Sequence, residues 1–139
     1  MTAGVTSNAD IFDRQVKELA REIEQRTERG ILLAAERFMS SIKWGTASSP
    51  GTPIDEGTAR NNWITSLDAA RFDIVDAEEQ VPQDFRLGQT IYIQNNLPYI
   101  NKLNEGHSDQ APNGFFEQAV RDTEREARNI VNAFRRGLV

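Results

Sequence analysis

The chain has 139 residues, a length that suits a single domain with one hydrophobic core. Its 38% hydrophobic and 27% charged residues are typical of a globular protein, and a net charge of −5 argues against a general nucleic-acid binder, which needs a surplus of lysine and arginine. The absence of cysteine excludes a disulfide framework, a thiolate nucleophile and a thiolate zinc site. No apolar run approaches the roughly 20 residues of a membrane span, and the first ten residues lack the pattern of a signal peptide. We expect one cytosolic domain over 1–139, with no membrane partner.

A long helix is predicted over residues 10–44. Asp10 can serve as its N-cap, and the pattern thins before Gly30, where a bend or break stays an alternative because glycine costs a helix interior about 1 kcal/mol. Apolar residues recur at spacings of mostly three and four at Ile11, Phe12, Val16, Leu19, Ile23, Ile31, Leu33, Phe38 and Ile42. Unbroken, the helix would run roughly 50 Å, more than a domain of this size can cover. We expect part of it to pack against another subunit.

A loop and a short helix are predicted over residues 45–62. The stretch GTASSPGTP at 45–53 has two glycines and two prolines, which disfavour helix and strand alike, and it lacks the lysine of a Walker loop. Asp55 can then cap a short helix over 56–62.

A small antiparallel sheet with an acidic insert is predicted over residues 63–95. Trp63 begins an alternation in which Trp63, Thr65 and Leu67 share one face. TIYIQN at 90–95 is the clearest strand because β-branched and aromatic residues dominate it. The segment 68–89 between them carries six acids, so we expect an exposed excursion, with a further strand around 72–75 as an alternative.

The C-terminal part is predicted to hold a short helix and a shaped loop over 96–114 and a terminal helix over 115–136. Pro98 suits the first turn of the short helix and Gly106 its end. The apolar face of the terminal helix is formed by Phe116, Ala119, Val120, Ala127, Ile130, Val131 and Phe134. These elements together define an α+β fold.

The single histidine, His107, precedes Ser108 and Asp109, but adjacent side chains diverge, whereas a catalytic triad needs side chains that converge. No second histidine is present for a zinc site, and Glu105, His107 and Asp109 form only a weak metal-ligand set. The acid pair at 55–56 is explained as a helix cap and first-turn charge. We therefore predict no enzyme activity, no cofactor and no metal site.

The loop residues are instead suited to fixing a backbone shape. Gly106 and Gly114 permit unusual backbone angles, and Pro112 restricts one. Polar side chains that can hydrogen-bond unpaired backbone groups are found at Asn96, Asn104, Ser108, Gln110 and Asn113. We interpret His107 as a hydrogen bonder that locks the loop, with an interface contact as the alternative.

Two stretches, TPIDEGTARNNWITSL at 52–67 and TIYIQNNLPYINKLNEGHSDQAPNGFFEQAV at 90–120, resemble the tail-component family of tailed bacteriophages, the neck or tail-completion proteins. The resemblance lies in Pro53, Asp55, Gly57, Arg60, Trp63, Asn95, Asn96, Pro98, Tyr99, Leu103, Gly106, His107, Ser108, Gln110, Ala111, Pro112 and Gly114. The chain departs from the pattern at Glu56, where a small residue is common, and the insert at 68–89 matches only in being variable.

The resemblance implies a virion structural protein, made in the host cytoplasm, that forms a ring of six or twelve copies at the head-tail junction. DNA would pass through the ring without specific binding, and head-closure, tail-terminator or tail-tube proteins would be its partners. We expect Trp63 and Tyr99 to be packing anchors, in the core rather than at an interface, and Arg60 to be a paired arginine that fixes the turn near Asp55. The alternatives are a small adaptor or antitoxin-like binding protein and a small hydrolase that uses His107.

Overall fold

The computed structural model describes residues 7–47, 50–54, 57–106 and 114–137. The elements in chain order are α1 (Asn8–Trp44), α2 (Thr58–Asn61), β1 (Ile64–Leu67), β2 (Ile91–Gln94), α3 (Ile100–Asn104) and α4 (Phe115–Arg135). The predicted α+β fold, with a long first helix, a small antiparallel sheet, a short helix and a terminal helix, is confirmed. The predictions for Asp55, His107, Ser108, Gln110 and Pro112 fall outside the described residues.

Helix α1 is continuous through Gly30, so the alternative of a break there is wrong. A Cβ atom on Gly30 would lie 3.3 Å from Ile130 Cγ2, so glycine lets α4 approach closely, and that packing offsets its poor helix propensity. The predicted cap is also wrong. Ser7 is the N-cap, because its Oγ accepts a hydrogen bond from the Asp10 N–H at 3.1 Å, while Asp10 lies in the first turn.

Helix α4 packs antiparallel along the C-terminal half of α1. Near one end of this contact the rings of Phe38 and Phe116 meet edge to face, with centroids 6.1 Å apart. Near the other end the Arg26 guanidinium lies 4.8 Å from the centroid of the Phe134 ring. Since α4 ends at Arg135, one residue beyond Phe134, the part of α1 before Arg26 extends past the end of α4.

The hydrophobic core lies between the C-terminal half of α1, the start of α4 and the entry to the sheet. Trp63 stacks on Phe116 with centroids 6.0 Å apart and an interplanar angle of 14°. Trp63 is only 4% exposed, so its predicted core position is confirmed. Tyr99 is 41% exposed, so its predicted core position is wrong: it forms, with Pro98, the surface turn that precedes α3.

Strands β1 and β2 pair antiparallel, with Ile64 opposite Gln94 and Leu67 opposite Ile91. The predicted alternation fails at the start of β1, because the neighbours Trp63, Ile64 and Thr65 are all buried. The chain after β1 folds back over the strand, and Thr65 Oγ1 donates a hydrogen bond to the backbone oxygen of residue 80 at 3.0 Å.

The acidic insert 68–89 is only partly an exposed excursion. Phe72 is 86% exposed, and residues 72–75, which the structure describes, form no strand, so that alternative is wrong. Val81 and Phe85 are 4% and 2% exposed, which corrects the prediction of a wholly exposed segment. The free energy gained by burying these two apolar side chains outweighs the preference of the surrounding acidic residues for water.

The two short helices are smaller than predicted. Helix α2 begins after Gly57, which has a left-handed φ of 83°, rather than at residue 56. Helix α3 begins at Ile100, so Pro98 precedes the helix instead of lying in its first turn. Gly106, with a φ of 89°, follows α3 as predicted, and its N–H donates to Leu103 O at 3.2 Å.

Candidate functional site

Asn104 links α3 to the start of α4. Its backbone oxygen accepts a hydrogen bond from the Gly114 N–H at 2.7 Å, and its side-chain oxygen accepts one from the Phe116 N–H at 2.9 Å. Gly106 and Gly114 flank the segment with left-handed φ angles of 89° and 86°. The unusual backbone angles predicted for the two glycines are confirmed at residues 106 and 114, and Asn104 links the chain before residue 107 to the chain after residue 113.

The same asparagine side chain acts on Glu117 in the first turn of α4. Asn104 Nδ2 donates to both carboxylate oxygens of Glu117, at 2.9 and 3.0 Å. These hydrogen bonds favour the ionised carboxylate, so they lower the pKa of Glu117 below its ordinary value. A negative charge in the first turn of α4 also interacts favourably with the helix dipole.

Thr52 joins the end of α1 to the core tryptophan. Its hydroxyl donates to Ile42 O at 2.5 Å and accepts a hydrogen bond from Trp63 Nε1 at 2.9 Å. The Thr52 N–H also donates to Ile42 O, at 2.8 Å. Thr52 is completely buried, so these bonds satisfy polar groups that no water reaches. Thr52 carries no local sequence signal for this role, because its partners are ten and eleven residues away.

Arg60 lies beside this junction. Its Nη2 donates to Thr52 O at 3.1 Å, and its guanidinium lies 4.3 Å from the centroid of a Trp44 ring. Burial lowers the pKa of Arg60 from its ordinary value. Arg60 therefore holds the turn after α1 through a carbonyl oxygen and an aromatic face. Its predicted pairing near Asp55 falls outside the described residues.

Asn96 and Gln94 attach the insert to the sheet. Asn96 Nδ2 donates to the backbone oxygens of Arg71 and Asp73, both at 3.0 Å. Gln94 Oε1 accepts a hydrogen bond from the Arg71 N–H at 2.9 Å. The Arg71 side chain pairs with Asp73 and, at 2.6 Å, with Glu79, which raises the pKa of Arg71 and lowers that of Asp73. Asn96 therefore hydrogen-bonds backbone groups of irregular chain, as predicted, and fixes the position of the insert.

The structure thus distributes the predicted residues over separate groups. Arg60 and Trp63 meet at Thr52, Asn96 holds the insert, and Gly106 and Gly114 flank residues 107–113. In the described ranges no group of three histidine, cysteine, aspartate or glutamate side chains is placed to hold a metal ion. Among the helices of those ranges, none is long and apolar enough to cross a bilayer.

A different surface stands out on α1. Residues 8–25, here called the arm, are exposed at every position. One face of the arm carries Phe12, Val16, Leu19 and Ile23, here called the arm stripe, and these side chains are 44–67% exposed. The other face carries ion pairs such as Lys17–Asp13 at 2.9 Å. A row of large apolar side chains on a helix that already has a polar face is typical of an interaction surface.

The arm leads directly into an apolar groove between α1 and α4. The groove has a volume of about 320 Å³, and its walls include Gly30, Ile31, Ala34, Ala127, Ile130 and Val131. Val131 is 49% exposed at its edge. The arm stripe and the groove are therefore neighbouring apolar surfaces, and sequence periodicity had predicted the stripe but not the groove, which requires two helices.

No protein family, curated protein or solved structure was found to match the chain. The class of protein must therefore be inferred from the surfaces of the fold and from the motifs in the sequence.

Proposed function

We propose that this chain is a structural subunit that assembles through the arm of α1. The observation that carries this proposal is the exposed arm stripe, in a chain whose core is already formed by other residues. Fully burying a large apolar side chain stabilises by about 1.5–3 kcal/mol, so burying the exposed half of four such side chains contributes about 3–6 kcal/mol.

Within that class, we propose a neck or tail-completion protein of a tailed-bacteriophage virion, which forms a homo-oligomeric ring of six or twelve copies around the DNA channel. The motifs at 52–67 and 90–120 support this assignment. The net charge of −5 supports a channel through which DNA passes without specific binding. Head-closure, tail-terminator or tail-tube proteins are the partners above and below the ring. Its role is structural rather than catalytic.

Electron microscopy of a phage lysate tests this function. A phage with an in-frame deletion of the gene should give DNA-filled heads separate from full-length tails, and expression of the intact chain from a plasmid should restore joined particles. Normal infectious particles from the deletion phage would contradict the proposal.

Stoichiometry separates the ring from the adaptor alternative. An adaptor or antitoxin-like protein would form a dimer or a one-to-one complex, whereas the ring has six or twelve copies. Native mass spectrometry of the purified chain, and of neck complexes isolated from phage particles without detergent, distinguishes these cases by mass.

A further inference from the structure

We propose that the arm of one copy docks into the groove between α1 and α4 of a second copy. This inference rests on the homo-oligomer proposed above and names the contact that holds it together. The arm and the groove are different surfaces of one chain, so in the proposed ring each contact is head to tail: the arm of one copy enters the groove of the next, whose own arm enters a third copy. Repeated head-to-tail contacts close into a ring when the rotation between copies permits it.

The spacing of the arm stripe is that of a helix-packing seam. Phe12, Val16, Leu19 and Ile23 are separated by four, three and four residues, and seven residues after Ile23 the same face reaches Gly30. Gly30 already lies against α4 in the same copy. The arm stripe is thus the continuation of an established helix interface beyond the point where α4 ends.

The groove has the shape to accept a helix. Three of its wall positions are glycine or alanine, which allow another helix to approach closely, and two larger residues, Ile31 and Val131, stand partly exposed beside them. Large side chains from the arm stripe would enter between the small wall residues, as knobs enter holes.

The charges of the two surfaces are opposite. The arm contains five acids and three bases. The groove is flanked by Arg26, Arg128 and Arg135, and residues 125–136 hold four arginines and one acid. Docking the arm in the groove therefore brings an acidic segment to a basic one, whereas pairing two arms would bring two acidic segments together.

The arm stripe presents a sizeable apolar area to a partner. The four half-exposed side chains of the arm stripe present on the order of 400 Å² of apolar surface, which lies in the range of functional patches. The flanking surfaces of the two helices must contribute the rest of the roughly 1,000 Å² that a biological interface needs. In a ring each copy gives one arm and receives one, so every subunit takes part in two such contacts.

Disulfide trapping tests the docking directly, because the chain has no cysteine of its own. Four single variants, Phe12→Cys, Val16→Cys, Leu19→Cys and Ile23→Cys, are each mixed with Val131→Cys protein and oxidised with copper phenanthroline. The matched control is Lys17→Cys, which lies in the same turns of the arm but on the opposite face. We expect at least one arm-stripe variant to give a mixed dimer with Val131→Cys at least about tenfold more abundant than the control gives.

A second variant measures the contact without cysteine. Leu19 is 56% exposed and lies outside the core, so Leu19→Asp should leave the melting temperature of the monomer unchanged while shifting the oligomer to monomer in sedimentation. An oligomer retained in Leu19→Asp, or no mixed disulfide above the Lys17→Cys control, would overturn the docking. If the arm-stripe variants form disulfide-linked homodimers in preference to mixed dimers with Val131→Cys, the arms pair with each other and the docking is wrong.

These outcomes separate the docking from the proposed function. A ring that persists in the Leu19→Asp variant overturns the docking alone, because the ring then has another contact. A chain that never assembles beyond a dimer overturns the ring as well. The phenotype of the deletion phage then shows whether the protein has a role in the virion at all.

Discussion

The buried hydrogen bond between Thr52 and Trp63 gives the sharpest test of how this fold is held together. The Thr52→Val substitution keeps nearly the same shape but removes the hydroxyl that accepts the Trp63 Nε1 hydrogen bond. Ile42 O keeps the hydrogen bond from the backbone N–H of residue 52 at 2.8 Å, so only the indole N–H loses its partner. The substitution therefore isolates the effect of one orphaned donor.

An unsatisfied buried donor costs about 1–3 kcal/mol, so we expect Thr52→Val to lower the free energy of unfolding by about 2 kcal/mol. At about 2.1 cal/mol/K of unfolding entropy per residue, a chain of 139 residues has about 0.3 kcal/mol/K, and the melting temperature should fall by about 7 °C. Both values follow from burial of Thr52 and Trp63 at 0% and 4% exposure.

Urea unfolding followed by circular dichroism measures this effect, and a double-mutant cycle with Trp63→Phe assigns it. Phenylalanine has no N–H to orphan, so Thr52→Val should be less destabilising in the Trp63→Phe background by about 1–2 kcal/mol. An equal cost of Thr52→Val in both backgrounds, or a cost below about 0.5 kcal/mol with Trp63 present, would refute the reasoning.

Three further predictions concern the insert, the glycines and pH. Because Phe85 is buried and Phe72 is exposed, Phe85→Ala should lower the free energy of unfolding by about 3–5 kcal/mol and Phe72→Ala by less than about 0.5 kcal/mol. Urea unfolding measures both values, and similar losses in the two variants would refute this reasoning. A Cβ on Gly51 would lie 2.5 Å from a backbone nitrogen, whereas one on Gly88 meets nothing within 4 Å. Both glycines have a left-handed φ, so Gly88→Ala should lower the free energy of unfolding by about 1 kcal/mol from backbone strain alone. Gly51→Ala adds the clash and should lower it by about 3 kcal/mol or more, so equal melting temperatures of the two variants would contradict this. The pKa of Glu117 is lower in the folded chain than its ordinary 4.5, so the carboxylate stabilises the fold above that pH and loses this contribution as the pH falls through the folded-state pKa. The melting-temperature advantage over Glu117→Gln should thus be present at about pH 6 and shrink by about pH 3, and a pH-independent difference would show that the charge plays no part.

The parts of the fold that could be predicted from sequence are those set by local periodicity. Helices α1 and α4 followed from apolar spacings of three and four, and β2 from its run of β-branched and aromatic residues. The N-cap was missed although a signal was present, since Ser7 and Asp10 have the spacing of a capping box.

The remaining differences depend on contacts between distant residues. The charge of the insert suggested that it is exposed, but the side chains of Val81 and Phe85 are buried. Their burial depends on contacts with distant residues, which no local sequence pattern specifies. The hydrogen bond from Trp63 to Thr52 depends on the turn after α1, which no local pattern specifies. Asn104 was predicted from its side-chain chemistry to bond backbone groups, but its particular partners, the N–H groups of Gly114 and Phe116, depend on how α4 packs beside α3.

Assembly through the exposed arm would also depend on the equilibrium between helix and coil in the arm itself. Residues 8–25 make no contact with the core, so their helicity depends on local propensity and on growth from the packed half of α1. An unpacked segment of this length exchanges between helix and coil within about a microsecond, and its amide hydrogens should exchange quickly in the free subunit. In the proposed docking, each binding event would order the arm as well as bury it, so warming would weaken association by melting the arm while the body of the subunit stays folded.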